Sequence, residues 1–205
     1  MSAQSGKPTK PGVLEVTGKG PVMLRVTPLD ATSANLEIGI DYSRAEDPGL
    51  RYDADYCDVL ASRTGLTLVF GRLKPSIREL RSKIEIAFSE EFFMRQVWFA
   101  SRAVHTSARS CTMGNALEPL SDLPDPDKVQ CFRANTVFMA LLVGESVIDF
   151  YYISPGDIHL ARDHRRSEIP LEPVVRVVLS TPLLVEFLDK CQPFADRLRP
   201  RFSEE

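Results

Sequence analysis

The chain has 205 residues, 43% of them apolar and 26% charged, with a net charge of −3. Such values belong to a globular chain long enough to bury a sizeable core. The weakly acidic balance excludes a protein that coats nucleic acid over its whole surface and leaves room for a local basic patch.

Residues 1–18, opening MSAQSGKPTKPG, are small, polar and punctuated by proline, so a disordered tail is expected. No charged start leads into an apolar segment, and no secretory leader is expected. The region 19–55 reads as a β-hairpin and an acidic connector: Val22, Leu24 and Val26 alternate, as do Leu36, Ile38 and Ile40, before SRAEDPGLRYDAD. The alternation continues through 56–106. CDVLAS and LTLVFGRL flank a Thr64-Gly65 turn, a basic loop KPSIRELRS follows, and KIEIAF precedes Ser89, a good helix N-cap. Phe93, Val97, Ala100 and Val104 then recur at helical spacing.

Residues 107–130 carry Gly114, Pro119, Pro124 and Pro126 and read as a linker. The stretch 131–199 repeats the earlier order. TVFMALLV is a strand too short to span a membrane, Gly144-Glu145 is a turn, and SVIDFYYI ends at Pro155-Gly156. A polar loop to Pro170 leads into PVVRVVL. Ser180 or Thr181 then caps a helix with Leu184, Phe187, Leu188 and Cys191 on its buried stripe. Pro193 is expected to weaken that helix, with 200–205 a charged tail.

Sliding the chain by 80 residues lays VLASRTGLTLVFGRLKP over MALLVGESVIDFYYISP without a gap, and sliding it by 91 lays KIEIAFSEEFFMRQV over VVRVVLSTPLLVEFL. Leu68 meets Ile148, Ile86 meets Val177, and Ser89 meets Ser180. The fold expected is therefore α+β with mainly antiparallel sheet: an N-terminal hairpin, then two βββα repeats packed as a pseudo-dimer. The phrase VRVVLSTPLLVEFLDKC after an alternating hairpin resembles a short bacterial family of unknown function, best over 131–191, with 56–104 like a diverged copy. In element order alone the chain is also similar to SecB-type export chaperones. That second resemblance implies binding of unfolded or partner chains without a cofactor; the first implies no activity.

The residues offer no constellation for chemistry. Cys57, Cys111, Cys131 and Cys191 form no C-x-x-C pair, so no zinc site is expected, and a cytoplasmic chain with reduced thiols is the simplest reading, although Cys57–Cys191 and Cys111–Cys131 pairings stay open. His159 and His164 are five apart in a polar loop, and His105 suits a helix end. Cys111 lies in the linker with only His105 near it in sequence, and Asp122, Asp125 and Asp127 read as a stiff acidic linker. No catalytic residue, metal or cofactor is assigned.

Two features point outward. EFFMRQVWFA carries Phe92, Phe93, Trp98 and Phe99 around more than half a helix, which marks Phe92, Trp98 and Phe99 as candidate partner-binding residues. The basic loop holds Arg72, Lys74, Arg78, Arg81 and Lys83 against Glu79, a candidate anion- or nucleic-acid-binding patch, with the acidic connector as its intramolecular or intersubunit counterpart. The reading is a non-enzymatic adaptor- or chaperone-like protein that acts through strand edges and the aromatic helix. Its partner is a protein or a second copy in a homo-oligomer, with no membrane involved. The alternative is a nucleic-acid-associated accessory using residues 72–83.

Overall fold

The computed structural model describes residues 23–28, 36–40, 46–62, 65–75, 77–98, 104–109, 123–142, 144–162 and 168–202. The expected hairpin forms from β1 (Met23–Pro28) and β2 (Leu36–Ile40), paired antiparallel. The acidic connector holds a short strand, β3 (Arg51–Asp53). Next come β4 (Tyr56–Ala61), β5 (Leu66–Lys74) and β6 (Ile77–Phe88). Helix α1 (Glu90–Phe92) continues as a π-helical stretch, Phe93–Trp98, and residues 104–109 form a further helix, α2. After the linker come β7 (Val129–Arg133), β8 (Thr136–Leu141) and β9 (Glu145–Tyr152). Then follow α3 (Pro155–Arg162), β10 (Glu168–Pro170), β11 (Glu172–Ser180) and α4 (Thr181–Phe202).

The strands form two four-stranded sheets, β4-β5-β6-β7 and β3-β11-β9-β8, and a three-stranded sheet β10-β1-β2. Most pairings are antiparallel, so α+β with mainly antiparallel sheet is what the chain adopts. The two exceptions are parallel: β6 with β7, and β11 with β3. Each of these outer strands precedes one unit in sequence and completes the sheet of the other.

The offsets of 80 and 91 read from the sequence map one sheet's register onto the other's. Tyr56↔Gly71 becomes Thr136↔Tyr151, Leu68↔Ile86 becomes Ile148↔Val177, and Ile86↔Phe132 becomes Val177↔Tyr52. The hydrogen bond from the Ser62 N–H to the Gly65 carbonyl, 2.8 Å, recurs from Leu142 to Glu145 at 2.8 Å. Both caps recur too, with the Phe92 N–H donating to Ser89 Oγ and the Leu183 N–H to Ser180 Oγ. This correspondence is one of topology and register.

One core joins both sheets and the helices. Phe70 meets Phe150 with ring centroids 5.9 Å apart and Phe187 at 5.1 Å, and Phe88 meets Phe150 at 6.0 Å. The helices cross over as the strands do: α4 lies against β4, and the π-helical stretch lies against β8.

Several expected loops are ordered. The basic loop is largely strand, because β5 runs on to Lys74 and β6 starts at Ile77. The polar loop before Pro170 holds α3 and β10, and β10 pairs with β1, so the extra 11 residues of the second unit recruit the N-terminal hairpin. Helix α4 continues through Pro193 and Pro200 instead of fraying. Ala195 and Leu198 are buried in the core, and that packing outweighs the backbone hydrogen bonds a proline removes. Among the described residues no helix is long and apolar enough to cross a membrane.

Candidate functional site

The two four-stranded sheets present four edges, and the chain treats them differently. Along β4 the backbone groups of Cys57 and Val59 turn away from β5. Lys190 Nζ, reaching from α4, donates to the Cys57 carbonyl at 2.7 Å, and the Val59 N–H donates to the Asp58 carboxylate at 2.8 Å. Lys190 also sits 5.5 Å from the Tyr56 ring centroid and pairs with Glu186. Edge β8 lies under the π-helical stretch, and neither Val137 nor Phe138 is without a partner. Edge β3 is three residues long and charged, with Arg51 on Asp53 at 2.8 Å and Arg72 on Asp53 at 3.3 Å. Charge, brevity and covering helices are ordinary ways to stop a sheet from growing.

Edge β7 is longer than β3, five residues against three, and only Arg133 at its end is charged. The Ala134 N–H donates to the Ala87 carbonyl and the Lys83 N–H to the Lys128 carbonyl. By alternation, Gln130 and Phe132 also bond toward β6, while the N–H and C=O of Val129, Cys131 and Arg133 point outward. Among the described residues no group bonds to them. Their side chains are exposed too, Val129 by 40%, and the Cys131 thiol donates to the Glu85 carboxylate at 3.8 Å. Phe132, turned the other way, packs against the core and anchors the strand.

The approach to β7 is fixed by Lys83. Its ammonium is buried between Asp125, 2.6 Å away, and Glu85, 2.7 Å away. Burial works to lower its pKa, and the hydrogen bonds it donates to Asp125 and Glu85 outweigh that and hold it raised. Leu123 and Asp125 thereby close over the outer face of the sheet, beside Tyr56, Val69 and Leu80, leaving a shallow cleft of about 180 Å³. Burial, with Asp58 beside it, pushes the Tyr56 hydroxyl well above its usual range.

The candidate aromatics divide. Trp98 is only 8% exposed and belongs to the core with Phe93, Met94 and Val97, so the chain itself covers it. A π-turn is wider than an α-turn and brings residues i, i+4 and i+5 closer to one face, which is how Phe93, Val97 and Trp98 are buried together. Phe92 is half-buried against the same core, and Phe99 lies outside the described residues.

The basic residues divide as well. Beyond Gly71 and Lys83, β5 and β6 lose their outer neighbours β4 and β7 and continue as a two-stranded arm. On it Arg72 pairs with Asp53, as the acidic connector suggested, and Lys74 pairs with Glu79 at 2.7 Å. Lys83 is buried and already neutralised. Arg81 is exposed, and the side chain of Arg78 lies outside the described residues.

Of the other polar residues, His105 and Arg109 both meet Asp189, at 2.9 and 2.6 Å. His159 is exposed, while His164, Cys111 and Asp122 lie outside the described residues. Cys57, Cys131 and Cys191 carry free thiols. Among the described residues no group of three or more His, Cys, Asp or Glu could hold a metal. A three-residue ion cluster links the second sheet to the connector: the half-buried Arg176 donates two bonds of 2.7 Å to the buried Asp149 and one of 2.8 Å to the exposed Asp47.

No known protein family, characterised relative or solved structure matches the chain.

Proposed function

We propose that the protein is a non-enzymatic binding protein, adaptor- or chaperone-like, that captures an extended protein segment by adding it as a strand beside β7. The observation that carries this reading is the contrast between β7 and the other three edges, which the chain blocks or charges. An edge with unmet N–H and C=O groups supplies main-chain affinity, and flanking side chains such as Val129 and Arg133 supply selectivity. The free thiols of Cys57, Cys131 and Cys191 fit a reducing, cytoplasmic setting.

Selection of displayed random peptides on the full chain tests the reading. Peptides should emerge whose binding is lost in Cys131→Pro, which removes an outward N–H from the edge. Binders indifferent to that substitution, or none at all, would sink the proposal.

The second reading uses the two-stranded arm. Its support is exposed Arg81 on a two-stranded β-ribbon, an element that can enter a nucleic-acid groove. Pairing of Arg72 and Lys74 with acids and burial of Lys83 weaken it. Salt-sensitive DNA or RNA binding that disappears in Arg78→Glu/Arg81→Glu would favour the arm over the edge.

A further inference from the structure

Strand β7 is self-complementary. Its outward-bonding residues are Val129, Cys131 and Arg133, placed symmetrically about Cys131. Its entrance carries the exposed acids Asp125 and Asp127, and its exit carries the exposed Arg133. A parallel neighbour of the same sequence would set like charge beside like. An antiparallel neighbour sets each Arg133 next to the other copy's Val129, on the diagonal from Asp127, a separation that a long side chain spans.

We propose that the segment which adds to β7 is the β7 of a second copy, antiparallel and centred on Cys131, so that two four-stranded sheets join into one of eight. This rests on β7 being a binding edge and adds the occupant. The register centred on Cys131 pairs all five residues of the strand, and any other in-phase register pairs fewer. It makes Cys131 and its counterpart a hydrogen-bonded pair with Cα atoms about 5.5 Å apart, within the span of a disulfide. Other edges do not compete: β3, the counterpart of β7 in the second sheet, has Arg51 where β7 has Cys131 and Asp53 where it has Arg133, already paired to each other.

The test is the mass of the full chain by sedimentation equilibrium over a concentration series from roughly 10 µM to 1 mM, where small interfaces associate. The wild type should rise from 22.9 kDa toward twice that value. Cys131→Pro should stay at one chain, because proline is tolerated where a strand N–H faces solvent and the bonds to β6 fall on Gln130, Phe132 and Ala134. Arg133→Glu should weaken association at least tenfold, and Asp127→Arg added to it should restore association. In a Cys111→Ser background, diamide should take two electrons and two protons from the facing thiols and leave a Cys131–Cys131 disulfide, absent in Cys131→Ser. A wild type that keeps the mass of one chain throughout overturns self-pairing. If selected peptides then still bind in a manner sensitive to Cys131→Pro, β7 remains a binding edge and only the choice of occupant fails. A dimer unaffected by Cys131→Pro and by Arg133→Glu, or one that diamide does not trap, overturns the register proposed.

Discussion

At the scale of single residues, the most telling pair is Asp55 and Asn135, which occupy matching positions before β4 and β8. Asp55 accepts the Leu73 N–H at 2.6 Å, and Asn135 accepts the Ile153 N–H and donates to the Ile153 carbonyl, both at 2.8 Å. Leu73 and Ile153 are themselves 80 apart, so one small polar side chain ties the far end of each long hairpin. The signal was present in the sequence as Ala54-Asp55 and Ala134-Asn135, yet two polar residues beside a strand look like any turn. Asn135→Ala strands a buried N–H and C=O and should cost about 2–4 kcal/mol in urea unfolding, against less for exposed Asp55→Asn. The buried thiols give a pH dependence. Burial raises Cys57 and Cys191 above the ordinary value of 9.0 in the folded chain. A raised folded pKa means that the stabilisation is complete below the unfolded value and is lost as pH rises. Unfolding free energy should therefore fall above about pH 9, by up to about 1.4 kcal/mol per pH unit for each thiol, and Cys57→Ala/Cys191→Ala should flatten that decline.

At the scale of elements, legibility followed pattern length. β5, β6 and β9 carry apolar residues at alternate positions, and β4, β8 and β11 are mostly apolar stretches of six residues or more, so their strands are visible in the sequence. Arg51–Asp53 and Val129–Arg133 carry no such pattern. They are edge strands of three and five residues, with short or mixed side-chain patterns on the open side, and what makes them strands is the backbone of β11 and β6. Thus the one element proposed here to bind a partner was hidden at the boundary between linker and repeat. The aromatic helix misled for a related reason: counting around an α-helix puts Trp98 outside, whereas the π-turn brings it in. Turn chemistry was legible. Gly144 adopts φ 82° in the expected turn, and at Gly65 a Cβ would run into the Phe88 carbonyl. Gly65→Ala should lower stability by about 2–4 kcal/mol, read as a drop in the urea midpoint with an unchanged slope.

At the scale of the whole molecule, each unit lends a strand to the other's sheet and a helix to the other's first strand. The main core is shared between them, because Phe70, Phe88, Phe150 and Phe187 meet at the junction. Unfolding should therefore be a single transition, and Phe150→Ala should move all of it by about 3–5 kcal/mol, whether followed at Trp98 in the first unit or by far-ultraviolet dichroism. Two separable transitions would mean that the units are independent. Such a doubly crossed architecture covers or charges three of the four edges of the two four-stranded sheets and, among the described residues, leaves β7 without a bonded neighbour on its outer side, and the functional reading depends on that asymmetry. The most direct measurement is amide hydrogen exchange along β7 in dilute protein. The Phe132 and Ala134 amides, bonded to β6, should be protected to the level of the core, while the Cys131 amide exchanges at close to the rate of an unstructured peptide and becomes protected only when a partner strand binds. A Cys131 amide already protected in the dilute, unbound chain would contradict the account.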